Sequence, residues 1–65
     1  MKVKYFSETD TLHLQITNQA VVETRDLNEN VVVDLDADGR VVSMTIEHAR
    51  VQAGNLDFSY ELIAA

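Results

Sequence analysis

The sequence predicts a mainly β fold of the α+β kind, an antiparallel β-meander of about five strands with a short helix near residues 47–53, occupying residues 1–65 as one small domain. Three observations predict it. Apolar and polar residues alternate with a period of two over most of the chain, the pattern of strands with one buried face. Two such runs flank Asp38-Gly39, a dipeptide that accepts the backbone angles tight hairpin turns demand. The alternation lapses from Glu47 to Ala53, where helix formers gather ahead of Gly54-Asn55, a helix stop.

The elements follow in order. Val3 and Tyr5 alternate with Lys2 and Lys4, and Leu12, Leu14 and Ile16 alternate with Thr11, His13 and Gln15, so two strands are expected, joined by a loop from Ser7 to Asp10. The β-branched stretch from Ala20 to Arg25 predicts a third strand, with a loop from Asp26 to Asn30 after it. The run from Val31 to Ile46 predicts a hairpin with Asp38 and Gly39 as the central pair of a type I′ turn. That register sets Val31 opposite Ile46, Val33 opposite Met44 and Leu35 opposite Val42, with all six on one face. Val32, Asp34, Asp36, Val41, Ser43 and Thr45 take the other. A three-residue loop with a glycine bulge would slip the register by one and scatter the apolar set, so the hydrophobic pattern favours the two-residue turn. Residues 56–62 alternate strictly and predict a last strand, able to pair with another copy of the chain.

A chain of 65 residues buries only about 60% of the surface its unfolded form exposes. Small folds compensate with disulfides, metals or self-association, and the absence of cysteine removes the first and any thiolate metal site. A homo-oligomer, most simply a homodimer, is therefore expected. Eleven acids against five bases leave a net charge of −6, with the bases scattered, which argues against nucleic acid as a partner and suits a basic protein better. No apolar stretch approaches the roughly 20 residues of a membrane-spanning helix, and no signal peptide is apparent at the start. A cytoplasmic location without membrane contact is the expectation. With no proline, two glycines and no repeat, the chain carries no linker.

Chemistry-bearing patterns are few. Asp34-x-Asp36-x-Asp38-Gly39 matches the first half of a calcium-binding loop, but the twelfth position, which should supply a bidentate glutamate, is Thr45. Asp34, Asp36 and Asp38 are thus the candidate ligands of a weak divalent-cation site, against the simpler reading of turn and solvated face. His13 and His48 lack a partner at metal spacing, and Ser7, Ser43 and Ser59 stand in no nucleophile motif. No catalytic residue and no cofactor are predicted, and the expectation is that the chain is not an enzyme. The aromatics cluster toward the termini, and Phe6, Phe58 and Tyr60 are the candidate partner-binding residues. An edge strand, or an acidic outer face carrying Asp34 and Asp36 with Glu23 nearby, is the other surface a partner could use.

Three segments carry a family resemblance: Met1 to Tyr5; Glu8-x-Asp10-x-Leu12-His13-Leu14; and the run from Val31 through Asp38-Gly39-Arg40-Val41-Val42 to Met44, Ile46 and Ala49. Together they resemble the small bacterial domain-of-unknown-function family 2283 over roughly residues 1–50. The resemblance implies a compact prokaryotic protein without an assigned activity, and an antitoxin-like role beside a small basic toxin as one alternative. Residues after 50 lie outside the pattern.

Overall fold

The computed structural model describes residues 1–64. Alternation builds five strands, β1 (Lys2–Phe6), β2 (Thr11–Gln15), β3 (Glu23–Asn28), β4 (Val31–Leu35) and β5 (Val41–Glu47), followed by one short helix, α1 (Ala49–Ala53). All pairings are antiparallel, and the sheet order is β1-β2-β5-β4-β3. The first hairpin and the three-strand meander are therefore two units, joined where β2 pairs with β5. Residues 16–22 carry the chain from the middle of the sheet to its far edge. This link is bonded at both ends: Ile16 and Thr17 donate to the Val42 carbonyl at 2.8 and 3.2 Å, and Val22 donates to Leu35 at 2.9 Å.

Three expectations about the elements are corrected. The third strand runs from Glu23 to Asn28, later than the predicted span from Ala20 to Arg25, and lies at the sheet edge. The side chain of Asn28 accepts the Asn30 N–H at 2.7 Å, so Glu29 and Asn30 suffice to reverse the chain and the ladder reaches Asn28. Residues 56–62 form no strand, because an alternating segment becomes one only when an edge offers it a ladder. They border the sheet instead: Phe58, Ser59 and Tyr60 line one hollow with Met1, Val3 and Leu14.

The third correction is the turn. Asp36 donates to the Arg40 carbonyl at 2.9 Å and accepts the Gly39 N–H at 3.0 Å, so three residues, Ala37, Asp38 and Gly39, close the hairpin. Gly39 alone among them has positive φ, at 79°, a conformation that costs other residues a steric clash at Cβ. Asp36 also turns its Oδ1 inward to accept the N–H groups of Asp38 and Arg40, both at 2.9 Å. The extra loop residue is absorbed at once by a bulge: Leu35 faces Val41, Val42 is extra, and Asp34 faces Ser43. Beyond the bulge the predicted pairs stand, with Val33 opposite Met44 and Val31 opposite Ile46.

Registers across the sheet separate two faces. One holds Val3, Leu14, Met44 and Val33 in a row, with Tyr5, Leu12, Ile46 and Val31 in the next. The other holds Lys2, Gln15, Ser43, Asp34 and Thr24, then Lys4, His13, Thr45, Val32 and Asp26. Val33, Leu35, Val42 and Ala49 are the buried apolar residues. The molecule spans 34 × 34 × 18 Å, a slab one sheet thick. Its radius of gyration is 13.0 Å, where about 10.7 Å is usual for a chain of this length. No helix among the described residues is long and apolar enough to cross a membrane.

Candidate functional site

The polar face is organised around Asp34. Ser43 donates to its Oδ2 and Thr24 to its Oδ1, both at 2.7 Å. These hydroxyls hold the carboxyl below its ordinary range, Ser43 most of all, against a smaller desolvation effect. Ser43 is buried, and Asp34 accepts its proton, so this serine is a structural donor. His13 sits 3.0 Å from the Thr45 hydroxyl through Nδ1, and His48 Nδ1 lies 2.9 Å from the Asn30 side-chain oxygen. Among the described residues neither ring meets a carboxylate or the serine at hydrogen-bond distance.

The three candidate cation ligands are not brought together. Asp34 belongs to the sheet face, Asp36 is engaged by its own loop, and Asp38 sits in that loop. Among the described residues no three His, Cys, Asp or Glu side chains are grouped to hold a metal ion. Glu23 is likewise set apart, on the opposite face from Asp34, where it accepts from Arg25 at 2.6 Å.

A junction that sequence reading missed lies at one end of the sheet. Asp10 ends the first hairpin loop with φ of 54°, and its carbonyl accepts the Ala49 N–H at 3.1 Å. Its carboxylate accepts the Tyr5 hydroxyl at 2.7 Å and the Arg50 N–H at 2.9 Å. Asp10 therefore caps α1 from 40 residues away, which His48, the local cap position in left-handed conformation, does not do with its own side chain. The Tyr5 hydrogen bond, followed by the Arg50 N–H, lowers the Asp10 pKa, and the same bond raises that of Tyr5. On the far side, Glu47 donates to the Asn30 carbonyl at 2.7 Å. The β1–β2 and β3–β4 loops thus pin the exit of β5 from either side. The only sequence signal was an aspartate at a loop end, which turn chemistry alone explains.

The apolar face is the other candidate. A hollow of about 460 Å³ lies between α1 and the sheet, lined by Leu12, Val31, Ile46, Ala49, Leu56 and Phe58 among others. A second, of about 310 Å³, lies between Val3 and Leu14 of the sheet and residues 58–60. The candidate partner-binding aromatics divide: Phe58 and Tyr60 belong to this side, whereas Phe6 alternates with Tyr5 and faces the polar side.

A single antiparallel sheet with a hydrogen-bonded polar face and a thinly covered apolar face defines a small one-layer β protein. The chain belongs to the family described as "Protein of unknown function (DUF2283)", whose profile matches residues 2–50. The match spans all five strands and ends at Arg50, whose N–H Asp10 holds. No curated protein and no solved structure matches the chain.

Proposed function

We propose that this chain is a non-enzymatic protein-interaction module that works as a self-associated unit. One observation carries the reading: the chain exposes 5262 Å² at a mass of 7.3 kDa, where a folded monomer of that mass exposes about 4,200 Å². An excess of about 1,100 Å² is the size of the surface one protein gives up to a partner in a stable complex. The polar side chains support the non-enzymatic half, since Ser43 spends its proton on Asp34 and both histidines bond to neutral side chains. Catalysis needs a base positioned on the proton it takes.

Sedimentation equilibrium at micromolar concentration tests the reading. The expected species has twice the 7.3 kDa chain mass. A single species of chain mass at every concentration would remove it.

A further inference from the structure

We infer that a second copy of this chain covers the apolar face, seated on the row of Val3, Leu14 and Met44 and on the segment carrying Phe58 and Tyr60. The inference rests on the self-association proposed above and locates its contact surface. Charge segregation chooses the face. Two molecules of net charge −6 repel, so a self-contact is most favourable through the surface poorest in unpaired acids. The charged strand positions of β1, β2, β4 and β5 are Lys2, Lys4, Asp34 and Glu47, and the registers put all four on the polar face. Among the described residues of those four strands, the apolar face carries no charge. At the β3 edge it bears only Glu23 and Arg25, which pair with each other at 2.6 Å.

Exposure marks where the cover is missing. Val3 is 50% exposed at the β1 end of an apolar row, and Tyr60 and Leu62 are 95% and 92% exposed. Val3 and Tyr60 share two adjoining hollows, one of about 550 Å³ that they line with Met1. A two-fold axis parallel to this face, lying in the plane of the contact, sets the same apolar patch against itself, as closed dimers require. Two such faces then meet, and side chains such as Leu14 and Met44, partly exposed in one chain, gain a second wall. The acids on this side that the registers and hollows identify are Glu23, paired with Arg25, and Asp57, which accepts from the Asn55 side chain at 3.0 Å, so a basic partner meets no row of free carboxylates and charge favours the second copy.

The test is light scattering on the full chain and three variants at one micromolar concentration, with circular dichroism of each. Tyr60→Glu and Val3→Glu place an unpaired charge on the apolar face, and Phe6→Glu places one on the polar face at similar exposure, 51%. Tyr60 has almost no contact to lose in the monomer, so its variant keeps the fold and the wild-type dichroism. The expected result is a fall from twice the chain mass to the chain mass for Tyr60→Glu and Val3→Glu, with Phe6→Glu still a dimer. A wild-type monomer overturns this inference together with the self-association reading. A wild-type dimer that survives Tyr60→Glu and Val3→Glu overturns the choice of face alone and leaves self-association standing.

Discussion

Asp10 joins β1 to α1, which are far apart in the chain, because its carboxylate and carbonyl meet the donors of Tyr5, Ala49 and Arg50. Arg50 in turn places its guanidinium 5.9 Å from the centre of the Tyr5 ring. The consequence for pH has a definite sign. The Asp10 and Asp34 carboxyls are both held below their ordinary value of 3.8. Their contribution to stability is therefore complete above that value and is lost as pH falls through the lower folded-state pKa. Thermal melts followed by circular dichroism are expected to stay level from neutrality to about pH 5 and to fall steadily below about pH 4. Asp10→Asn keeps an acceptor but no charge, so its melting point is lower at neutral pH and its acid slope shallower. Faster amide exchange at Ala49 and Arg50 than in wild type is the local sign; unchanged exchange there would show that α1 does not depend on Asp10.

At the scale of elements, the hairpin from β4 to β5 shows how turn and register are solved separately. The loop adopts three residues because Asp36 can satisfy the N–H groups of both Asp38 and Arg40, and the bulge at Val42 then restores the pairing that buries Val33 and keeps Met44 and Ile46 beside it. Gly39 is the only residue from Ala37 to Gly39 with positive φ, and a Cβ added there meets nothing within 4 Å. Gly39→Ala is expected to cost about 1–2 kcal/mol through backbone conformation alone. Asp38→Ala is expected to change stability by no more than about 0.5 kcal/mol, as for an ordinary surface position. Urea denaturation of the two variants separates this loop from a type I′ turn, where both central residues need positive φ and both substitutions would be costly.

For the whole molecule, the decisive quantity is surface. Among the described residues four buried apolar side chains give a single copy a small core, and a protein that folds fully only as a pair has a stability that depends on its own concentration. The melting temperature is expected to rise with protein concentration at fixed buffer. It should also rise with added salt, which screens the repulsion between two copies of charge −6. A melting temperature flat in concentration would place the stability within one chain. Tyr60→Glu is expected to flatten both dependences, since Tyr60 belongs to the proposed contact and not to the core.

The sequence by itself determined where most strands lie, which residues share a face, and the pairing from Val31 to Asp34 against Ser43 to Ile46. A period of two is a local property, and a slip by one residue would have turned every apolar side chain to the wrong side. Alternation also set Phe6 on the face opposite Tyr5, where it stands, but did not tell that Phe58 and Tyr60 lie beside Val3 and Leu14. Tertiary structure decided the rest: β2 beside β5, the Asp10 cap, the bulge at Val42, and the failure of residues 56–62 to become a strand. Alternation says which way a side chain points and nothing about which neighbour its backbone meets. Hydrogen-bond partners drawn from 40 residues away are chosen only when the chain has closed on itself.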